Sequence, residues 1–408
     1  MQRASAQFGS AASPRRVLLL VENLPVPFDR RMWMQATTLQ RNGYQVTVIC
    51  PRGQYASGRE VLQGVTIYRY PLPSLPGLAG HLLEYTVAVL MTFALTCVVR
   101  LREGFDCIQS ANPPDLFFLI AGVFKLFGTP FIFDQHDAMP EICDARWHGW
   151  KRSLTRRICL WAERATFHTA DRVIANNESY RVIARTRGAI PDERIAVVRN
   201  APSLHRFRAV APRPELKDGG RFLVAYLGVI GPNDGLDHLL GAIAHIVHTR
   251  QCRDVRFVVV GSGDLYAQTV ALSESLQLGA WVRFTGRISD EEVIDWLSSA
   301  DVCVAPDPKD PLNDISSFNK IVEYMALGRP IVAFDLREVR ISADAAASYV
   351  PANDVIAFGD AIIELLEAPE RRQRMSVAGR HRFETELAWE HQEARLLGLY
   401  RDLLGPSS

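Results

Sequence analysis

Short runs of Val, Ile and Leu, each followed by a helix-like stretch, occur in two successive series, and this alternation constrains the fold more than any other feature. The first series begins with an apolar run at 17–21, a helix-like stretch at 31–41 and a second run at 46–50. It continues through VTIYRY, FIFD, RVIA and AVV. Apolar runs separated by helices are typical of a parallel sheet covered on both faces. The first half is therefore predicted to form a doubly wound α/β domain.

A second series of apolar runs follows a stretch rich in proline and glycine at 200–220, which suits an exposed linker. Its runs lie at 221–227, 255–260, 281–284, 301–305 and 331–334. The sequence thus predicts an α/β protein with two Rossmann-like domains. The predicted parts are a disordered tail at 1–15, an N-terminal domain at 16–200, a linker at 201–220, a C-terminal domain at 221–385, and a helix at 386–408 that can cross back to the first domain.

Composition excludes several other classes of protein. Of the 408 residues, 48% are hydrophobic and 22% are charged, unlike a disordered chain, a coiled coil or a collagen-like repeat. The seven cysteines include no Cys-x-x-Cys pair and no zinc-like spacing with histidine, so free thiols in a reducing cytosol are expected. The N-terminus lacks the apolar core of a signal peptide. These features together predict a cytoplasmic protein.

Charge is divided unevenly along the chain, although the formal net charge is only +1. Residues 1–200 contain 24 Lys and Arg against 16 Asp and Glu, whereas residues 201–408 contain 22 against 29. An anionic surface or substrate is therefore expected to face the first half. Nothing in the sequence suggests a nucleic-acid partner.

A basic amphipathic helix is predicted at 150–161, WKRSLTRRICLW. Its apolar stripe is Trp150, Leu154, Ile158 and Trp161, and its basic residues are Lys151, Arg152, Arg156 and Arg157. Trp favours a membrane interface and the basic residues favour anionic lipid, so peripheral association with the inner face of the cell membrane is expected. The alternative is a helix that packs on its own domain. A second apolar segment, 85–99, is too short to span a bilayer and is expected to be buried or interfacial.

Polar and glycine-rich segments follow the predicted strands of both domains. They are residues 22–29, 134–137 and 176–177 in the first domain, and residues 228–235, 261–264, 286–287 and 307–317 in the second. Ligands of doubly wound sheets bind at the carboxyl ends of the strands. Two such sets of loops predict parallel sheets that face each other across a cleft, with a two-part ligand between them.

The segment 316–330, SSFNKIVEYMALGRP, predicts a helix that Ser316 or Ser317 caps and that ends before Pro330. Lys320 and Glu323 are expected to lie away from its buried face. A cation in the first turn is unfavourable beside the positive end of the helix dipole, unless an anion binds there. Lys320 is therefore a candidate for holding a phosphate and Glu323 for accepting from ribose hydroxyls. The alternative is an ordinary exposed ion pair.

The sequence resembles glycosyltransferase family 4, retaining enzymes of the GT-B fold, over almost its whole length. The motifs that carry the resemblance are NLPVPFDRRMWMQA, DQHDAMPE, NNESY, VVRNAP, YLGVIGPNDGLDHLL, VVVGSGD, VRFTGRIS and NKIVEYMALGRPIVAFD. Within the family, the sequence is most similar to the branch that builds bacterial surface polysaccharides, O-antigen and exopolysaccharide. The resemblance implies transfer of a sugar from a nucleotide-sugar donor to an acceptor bound by the N-terminal domain.

The resemblance also implies roles for individual residues. Glu323 would bind the donor ribose, Lys320 the diphosphate and Arg287 the base, while His136 would lie near the transferred sugar. The expected catalytic residues are His136, Lys320 and Asp137. The expected donor-binding residues are Glu323, Arg287, Gly231, Gly261, Asn319, Ser317, Asp314 and Arg199.

The sequence departs from the family pattern at three positions. Val229 and Asp234 stand where many members carry Arg and Lys, and Ile315 stands where many carry a first Glu. Lys320 and Arg199 are therefore expected to supply the positive charge. Asp314 is expected to replace the missing carboxylate.

The acceptor side and the cofactor requirement follow from other residues. Asp29, Arg30 and Arg31 come after the loop of the first strand and are candidates for contact with a lipid-linked saccharide acceptor; the alternative is a helix cap with solvated arginines. The chain has no Asp-x-Asp triplet to hold a divalent ion against a diphosphate. Catalysis without a metal or cofactor is therefore predicted, with cations and helix N-termini stabilising the leaving group.

Three other functions remain open from the sequence alone. A dinucleotide-dependent oxidoreductase is disfavoured because Gly261-Ser-Gly263 is followed by Tyr266 where a third glycine is expected. A nucleotide-sugar epimerase of the same fold would differ only in its product. A non-catalytic subunit would bind nucleotide without turnover.

Overall fold

The computed structural model describes residues 14–73, 77–147 and 149–405 of the chain. The predicted tail therefore lies almost entirely outside the described residues. The chain forms two compact units. The N-terminal unit comprises the chain up to Val198 together with the residues from Glu393 onward, and the C-terminal unit comprises Arg199–Gln392.

The N-terminal unit is built on an eight-stranded sheet with the order β3-β4-β2-β1-β5-β6-β7-β8. Its strands are β1 (Arg16–Leu20), β2 (Gln45–Pro51), β3 (Arg59–Leu62), β4 (Val65–Tyr70), β5 (Cys107–Ala111), β6 (Phe131–Gln135), β7 (Arg172–Ala175) and β8 (Ile195–Val197). All neighbours pair in parallel except β3, which is antiparallel to β4 at the edge. The strand order reverses between β1 and β5, so this is where a ligand crevice is expected.

The C-terminal unit is built on a six-stranded parallel sheet with the order β11-β10-β9-β12-β13-β14. Its strands are β9 (Phe222–Leu227), β10 (Val255–Val260), β11 (Val282–Gly286), β12 (Val302–Ala305), β13 (Ile331–Phe334) and β14 (Ala347–Val350). This is the doubly wound dinucleotide-fold order, with its reversal between β9 and β12. The predicted doubly wound architecture is confirmed for each unit.

Helices cover both sheets. The N-terminal unit contains α1 (Arg30–Arg41), α2 (Gly77–Arg102), α3 (Phe118–Lys125), α4 (Met139–Arg146), α5 (Gly149–Thr169) and α6 (Glu178–Thr186). The helices that follow are α7 (Leu236–Ala244), α8 (Tyr266–Ser275), α9 (Asp290–Ser299), α10 (Asn319–Ala326), α11 (Arg337–Ala343), α12 (Val355–Leu366), α13 (Pro369–Arg382) and α14 (Trp389–Leu404). They leave the strands almost wholly buried, which explains the continuous apolar runs.

Three strands escaped the sequence analysis. β3 has exposed alternate residues at a sheet edge, β5 reads CIQSA, and β14 reads ASYV. Polar residues within β5 break the apolar run, yet every residue of that strand is buried, and Gln109 is accommodated there because its Nε2 donates to Gln35 Oε1 at 2.7 Å. Hydrophobic periodicity alone therefore could not identify it.

The structure places the domain boundaries slightly differently from the prediction. The units divide at Val198 and Arg199, and the predicted linker belongs to the C-terminal unit. It is exposed but not free, because the main-chain N–H groups of Val210 and Arg213 donate to serine hydroxyls at the end of α9. The last helix begins at Trp389, and its residues from Glu393 belong to the N-terminal unit.

Helix α2 is longer than the apolar segment recognised in the sequence. It has 26 residues, and by length and composition Ala79–Arg102 is sufficient to cross a membrane; the mean hydropathy of its most apolar 18-residue window is 2.0. Only 22% of its most apolar window is buried. The sequence analysis took the apolar segment to be 85–99, and this length was wrong because the helix extends beyond both ends of that segment.

Candidate functional site

In the N-terminal unit, the candidate site residues are organised around a buried carboxylate, Asp134, at the end of β6. Arg31 Nη2 donates to Asp134 Oδ1 at 2.8 Å, and Gln35 Nε2 donates to Oδ2 at 2.6 Å. Burial acts to raise the pKa of Asp134, but the charges of Arg31 and His136 and their hydrogen bonds have a larger effect in the opposite direction. The pKa of Asp134 therefore lies below its ordinary value. Asp134 is therefore a fixed negative charge that holds the side chains around it.

His136 is held through one nitrogen. Its Nε2 lies 2.9 Å from Arg31 Nε and 2.9 Å from Asp134 Oδ2. Within the described residues, Nδ1 has no hydrogen-bond partner, and the side chain is 15% exposed. The ring is thus oriented by its neighbours, with Nδ1 left for a ligand.

The structure corrects the expected role of Arg31. Its side chain is 5% exposed, and the guanidinium also donates to the carbonyl of Val198 at 2.8 Å. Arg31 therefore positions Asp134 and His136 and is not a solvated contact for an acceptor. Asp29 caps α1 by accepting from Met32 N at 3.0 Å, which is the alternative considered from the sequence. Of the three predicted acceptor residues, Arg30 alone is exposed.

Asn112, after β5, was missed by the sequence analysis. Its Oδ1 accepts from the main-chain N–H groups of His136 (2.7 Å) and Asp137 (3.1 Å), and its Nδ2 donates to Asp137 O at 2.8 Å. Asn112 thus fixes the loop that carries two predicted catalytic residues. Burial raises the pKa of Asp137, and the charge of Asp29 adds to this while His136 opposes it. The position of Asn112 after a strand was the available signal, but β5 itself was not recognised.

A second buried acid, Glu22, lies just after β1 beside the strand-order reversal. Its side chain is almost inaccessible, and burial together with the nearby charge of Glu84 raises its pKa to about 8. A carboxylic acid that remains protonated near neutral pH can donate a hydrogen bond. Glu22 was noted only as part of a polar loop, because sequence cannot show that a carboxyl is buried.

In the C-terminal unit, two strand-end loops meet at Gly228 and Gly261. A Cβ at Gly261 would lie 1.8 Å from the carbonyl oxygen of Gly228, and Gly261 has φ of 137°. Glycine is therefore required for this close backbone approach. Gly231 is a predicted donor-binding residue, and its main-chain N–H donates to Asp234 Oδ2 at 3.0 Å. Asp234, which stands where the family often has lysine, therefore accepts the hydrogen bond from the main-chain N–H of Gly231.

Lys320 is buried, which contradicts the expectation that it lies away from the packed face of its helix. Its side chain is 6% exposed, and Nζ is 2.6 Å from Oδ1 of the fully buried Asp307. Nζ also lies 3.4 Å from Tyr226 Oη. Burial raises the pKa of Asp307, and Lys320 opposes this. The pair stands at the reversal between β9 and β12, where a ligand is expected.

The helix that carries Lys320 begins later than predicted. It starts at Asn319, and Phe318 occupies the N-cap position without a side-chain hydrogen bond, so neither serine caps it. Asn319 is exposed, while Ser317 and Glu323 are partly buried. Glu323 lies one turn beyond Asn319, as the helical spacing predicts. Gly328, with φ of 62°, and Pro330 follow its end.

Two expected charges are engaged elsewhere. Arg199 is buried in the C-terminal unit, with Nη1 3.5 Å from Glu338 Oε2, so it is not the free cation predicted for the donor. Asp314 accepts from Arg337 N at 2.9 Å and lies 3.5 Å from Lys309 Nζ. The carboxylate of Asp314 is thus bound to the first main-chain N–H group of α11. Arg287, directly after β11, is exposed.

No group of three or more His, Cys, Asp or Glu side chains placed to hold a metal ion is found among residues 14–73, 77–147 and 149–405.

Comparison with known proteins identifies the class. A model described as glycosyl transferases group 1 matches residues 221–368, and one described as a glycosyl transferase 4-like domain matches residues 29–201. These two matches together cover most of the chain, which is a glycosyltransferase of the GT-B fold.

Individual relatives are diverse. The chain is 28% identical over 300 residues to alpha-maltose-1-phosphate synthase of Mycolicibacterium smegmatis, covering 68% of this chain and 74% of that protein. It is 32% identical over 182 residues to phosphatidyl-myo-inositol mannosyltransferase of Mycobacterium leprae, covering 44% and 46%.

Solved structures show the same fold at low identity. Sucrose-phosphate synthase from Thermosynechococcus elongatus has a TM-score of 0.76 at 20% identity, with coverage of 96% and 100%. Anabaena HepE with UDP-glucose has a TM-score of 0.69 at 14% identity, covering 95% and 99%. WaaG, a glycosyltransferase of lipopolysaccharide biosynthesis, has a TM-score of 0.70 at 16% identity, covering 94% and 99%.

Proposed function

We propose that this glycosyltransferase moves a sugar, with retention, from a nucleotide-sugar donor to a lipid-linked saccharide acceptor at the inner face of the cell membrane, in cell-surface polysaccharide biosynthesis. The observation that carries the proposal is an exposed apolar face on the N-terminal unit. A soluble acceptor would not require such a face, whereas an enzyme whose acceptor lies in a leaflet must reach that leaflet.

The apolar face is formed by α2, α3 with the turn after it, and α5. Ring contacts join these helices: Phe93 is 6.4 Å from Phe124, and Phe118 is 5.8 Å from Trp161. The exposed apolar residues of these helices and of the turn after α3 are Leu82, Leu83, Leu90, Phe93, Leu101, Leu119, Val123, Leu126, Phe127, Trp150, Leu154, Ile158 and Trp161. The two tryptophans of α5 are 70% and 60% exposed, so more than half of each tryptophan side chain in the predicted stripe is accessible to solvent.

Charge beside the apolar face favours anionic lipid. Lys151 and Arg157 are exposed, and within the described residues neither has an ion-pair partner. Arg152 and Arg156 are less available, because each donates to Asp144 at 3.0 Å. Each basic residue near an anionic surface contributes about 1 kcal/mol, so the apolar side chains must supply most of the binding free energy.

Known proteins support both substrates. The relative from M. leprae is named for a phosphatidyl-inositol acceptor, and WaaG acts in lipopolysaccharide biosynthesis. HepE was solved with UDP-glucose. These names favour a lipid-anchored acceptor and a nucleoside-diphosphate donor for this chain as well.

The donor would occupy the strand ends of the C-terminal unit. Glu323 would accept from the ribose hydroxyls, Arg287 would contact the base, and the ammonium group of Lys320 would bind a diphosphate oxygen. Loss of the diphosphate develops negative charge on its oxygens, so preorganised donors lower the barrier. His136 Nδ1 would hydrogen-bond the transferred sugar. No metal is proposed, because the chain lacks an Asp-x-Asp triplet.

A donor screen tests the chemistry. Purified protein would be incubated with UDP-, GDP- and ADP-sugars, with and without a polyprenyl-diphosphate-linked saccharide, and the products would be separated by chromatography. The expected result is a glycosylated lipid that forms with one donor. An epimerised nucleotide sugar, or turnover with a soluble saccharide alone, would overturn the proposal.

Vesicle sedimentation tests the location. A Trp150→Ser/Trp161→Ser variant and a Leu82→Ser/Leu90→Ser variant should each bind vesicles containing anionic phospholipid at least tenfold more weakly than the wild type. The matched control is Ile356→Ser/Val377→Ser, which removes exposed apolar side chains from the C-terminal unit. Equal binding of all four proteins would refute membrane docking through this face.

A further inference from the structure

Two cysteines that are distant in sequence meet between consecutive helices of the N-terminal unit. Cys143 on α4 and Cys159 on α5 have their Sγ atoms 2.7 Å apart. Cys143 is buried and Cys159 is partly accessible. A disulfide requires an S–S distance of about 2.05 Å, so only a small side-chain adjustment separates these free thiols from a covalent bond.

The contact differs from the ordinary burial of cysteine. Cys50, Cys107 and Cys303 are buried in strands, as small apolar residues commonly are. The thiols of Cys107 and Cys252 donate to main-chain carbonyl groups. Cys143 instead faces a second sulfur, whose access to solvent offers a route for a small oxidant.

The surroundings also favour reaction at Cys143. The hydrogen bond from the thiol of Cys159 lowers the pKa of Cys143, although burial and the charge of Asp144 act in the opposite direction. Thr155 and Arg146 further favour the charged form of Cys143. The thiolate is the reactive form of cysteine, so the pair has both a nucleophile and an adjacent thiol to resolve the product.

We propose that Cys143 and Cys159 are a modification site, at which a peroxide oxidises the two thiols to a disulfide that bonds α4 to α5. The thiolate of Cys143 attacks one peroxide oxygen, the O–O bond breaks, and the released hydroxide takes up a proton as water. Cys143 is then a sulfenic acid. The sulfur of Cys159 displaces its hydroxyl group, which leaves as water with the proton of Cys159, as the S–S bond forms. The two sulfurs lose two electrons, and one hydrogen peroxide becomes two waters.

The bond would fix a functionally placed hairpin. α4 begins directly after the loop that carries His136 and Asp137, and α5 carries the exposed tryptophans. Oxidation would therefore link α4, which follows the loop of His136 and Asp137, covalently to α5, which carries the exposed tryptophans. The formation of the bond itself does not depend on the proposed glycosyl transfer.

Thiol counting on the full chain tests the site. Reduced protein would be treated with a small excess of hydrogen peroxide, denatured, labelled with N-ethylmaleimide and weighed intact. The expected wild-type product carries two labels fewer than the seven of the reduced protein. A non-reducing digest should contain a peptide pair that joins residues 143 and 159, and dithiothreitol should restore both labels.

Serine variants distinguish this pair from general oxidation. Cys143→Ser and Cys159→Ser should each lose the linked peptide at least tenfold, and Cys159→Ser should accumulate a dimedone adduct at Cys143. The control Cys252→Ser, which changes a partly exposed cysteine of the other unit, should form the linkage at the wild-type rate. Retention of all seven labels, or linked peptides that join other cysteines, would overturn the proposal. If Cys143→Ser does not fold, Cys159→Ser alone still decides the outcome.

Discussion

Replacing Lys320 with methionine should destabilise the C-terminal unit strongly. The ammonium and the Asp307 carboxylate are 2.6 Å apart and both are buried. At an effective dielectric constant of about 20 their attraction is about 6 kcal/mol, against which the cost of burying both charges must be set. Removing one partner of such a pair typically costs about 3–5 kcal/mol, because the other charge stays buried without compensation. We expect Lys320→Met to lose that much unfolding free energy.

Denaturant unfolding near pH 8, followed by tryptophan fluorescence, measures the effect. The matched control is Lys309→Met, because Lys309 is half exposed and its ion pair with Asp314 is longer, at 3.5 Å. This substitution should change the unfolding free energy by about 1 kcal/mol or less. Lys320→Met/Asp307→Asn removes both charges and should recover most of the loss.

The pH dependence gives a second readout. Burial raises the pKa of Asp307, and loss of the opposing Lys320 charge raises it further. A carboxyl whose folded pKa lies above its unfolded value gives stability at low pH that is lost as pH rises through the folded pKa. Lys320→Met should therefore regain stability on acidification more than the wild type does. A variant within 1 kcal/mol of the wild type at pH 8, with no such recovery, would refute the buried pair.

Three further predictions concern other groups. Glu323→Ala should weaken donor binding about 10- to 100-fold in calorimetry, since a hydrogen bond to a charged group is worth about 1.5–3 kcal/mol. The exposed control Glu364→Ala should bind the donor as the wild type does. Equal donor affinities of Glu323→Ala and the wild type would contradict the ribose role. Glu22, with a folded pKa of about 8, should make wild-type stability fall by up to about 1.4 kcal/mol per pH unit between pH 5 and 8, and Glu22→Gln should flatten that slope; parallel curves would count against a buried acid. Transfer should survive excess EDTA, and activity that disappears with chelation and returns with magnesium would show a metal requirement.

Several features of this protein follow from its sequence alone. Apolar runs separated by helices predict two doubly wound units, because a parallel sheet covered on both faces buries every strand residue. The same reasoning places β10 and β13 at their observed bounds. It also locates polar loops at the strand ends, including those that carry His136 and Lys320. Local periodicity and turn residues are sufficient for these conclusions, since each depends on neighbouring positions along the chain.

The tertiary structure decides which polar side chains are available to a ligand. Sequence placed Lys320, Arg199 and Arg31 among candidate binding cations, yet each is buried against a carboxylate that lies elsewhere in the chain. A charge is removed from water only together with a partner, and the partner comes from a different strand or helix. Spacing along the sequence carries no record of that pairing. For the same reason, the meeting of Cys143 and Cys159 is visible only after α4 has packed against α5.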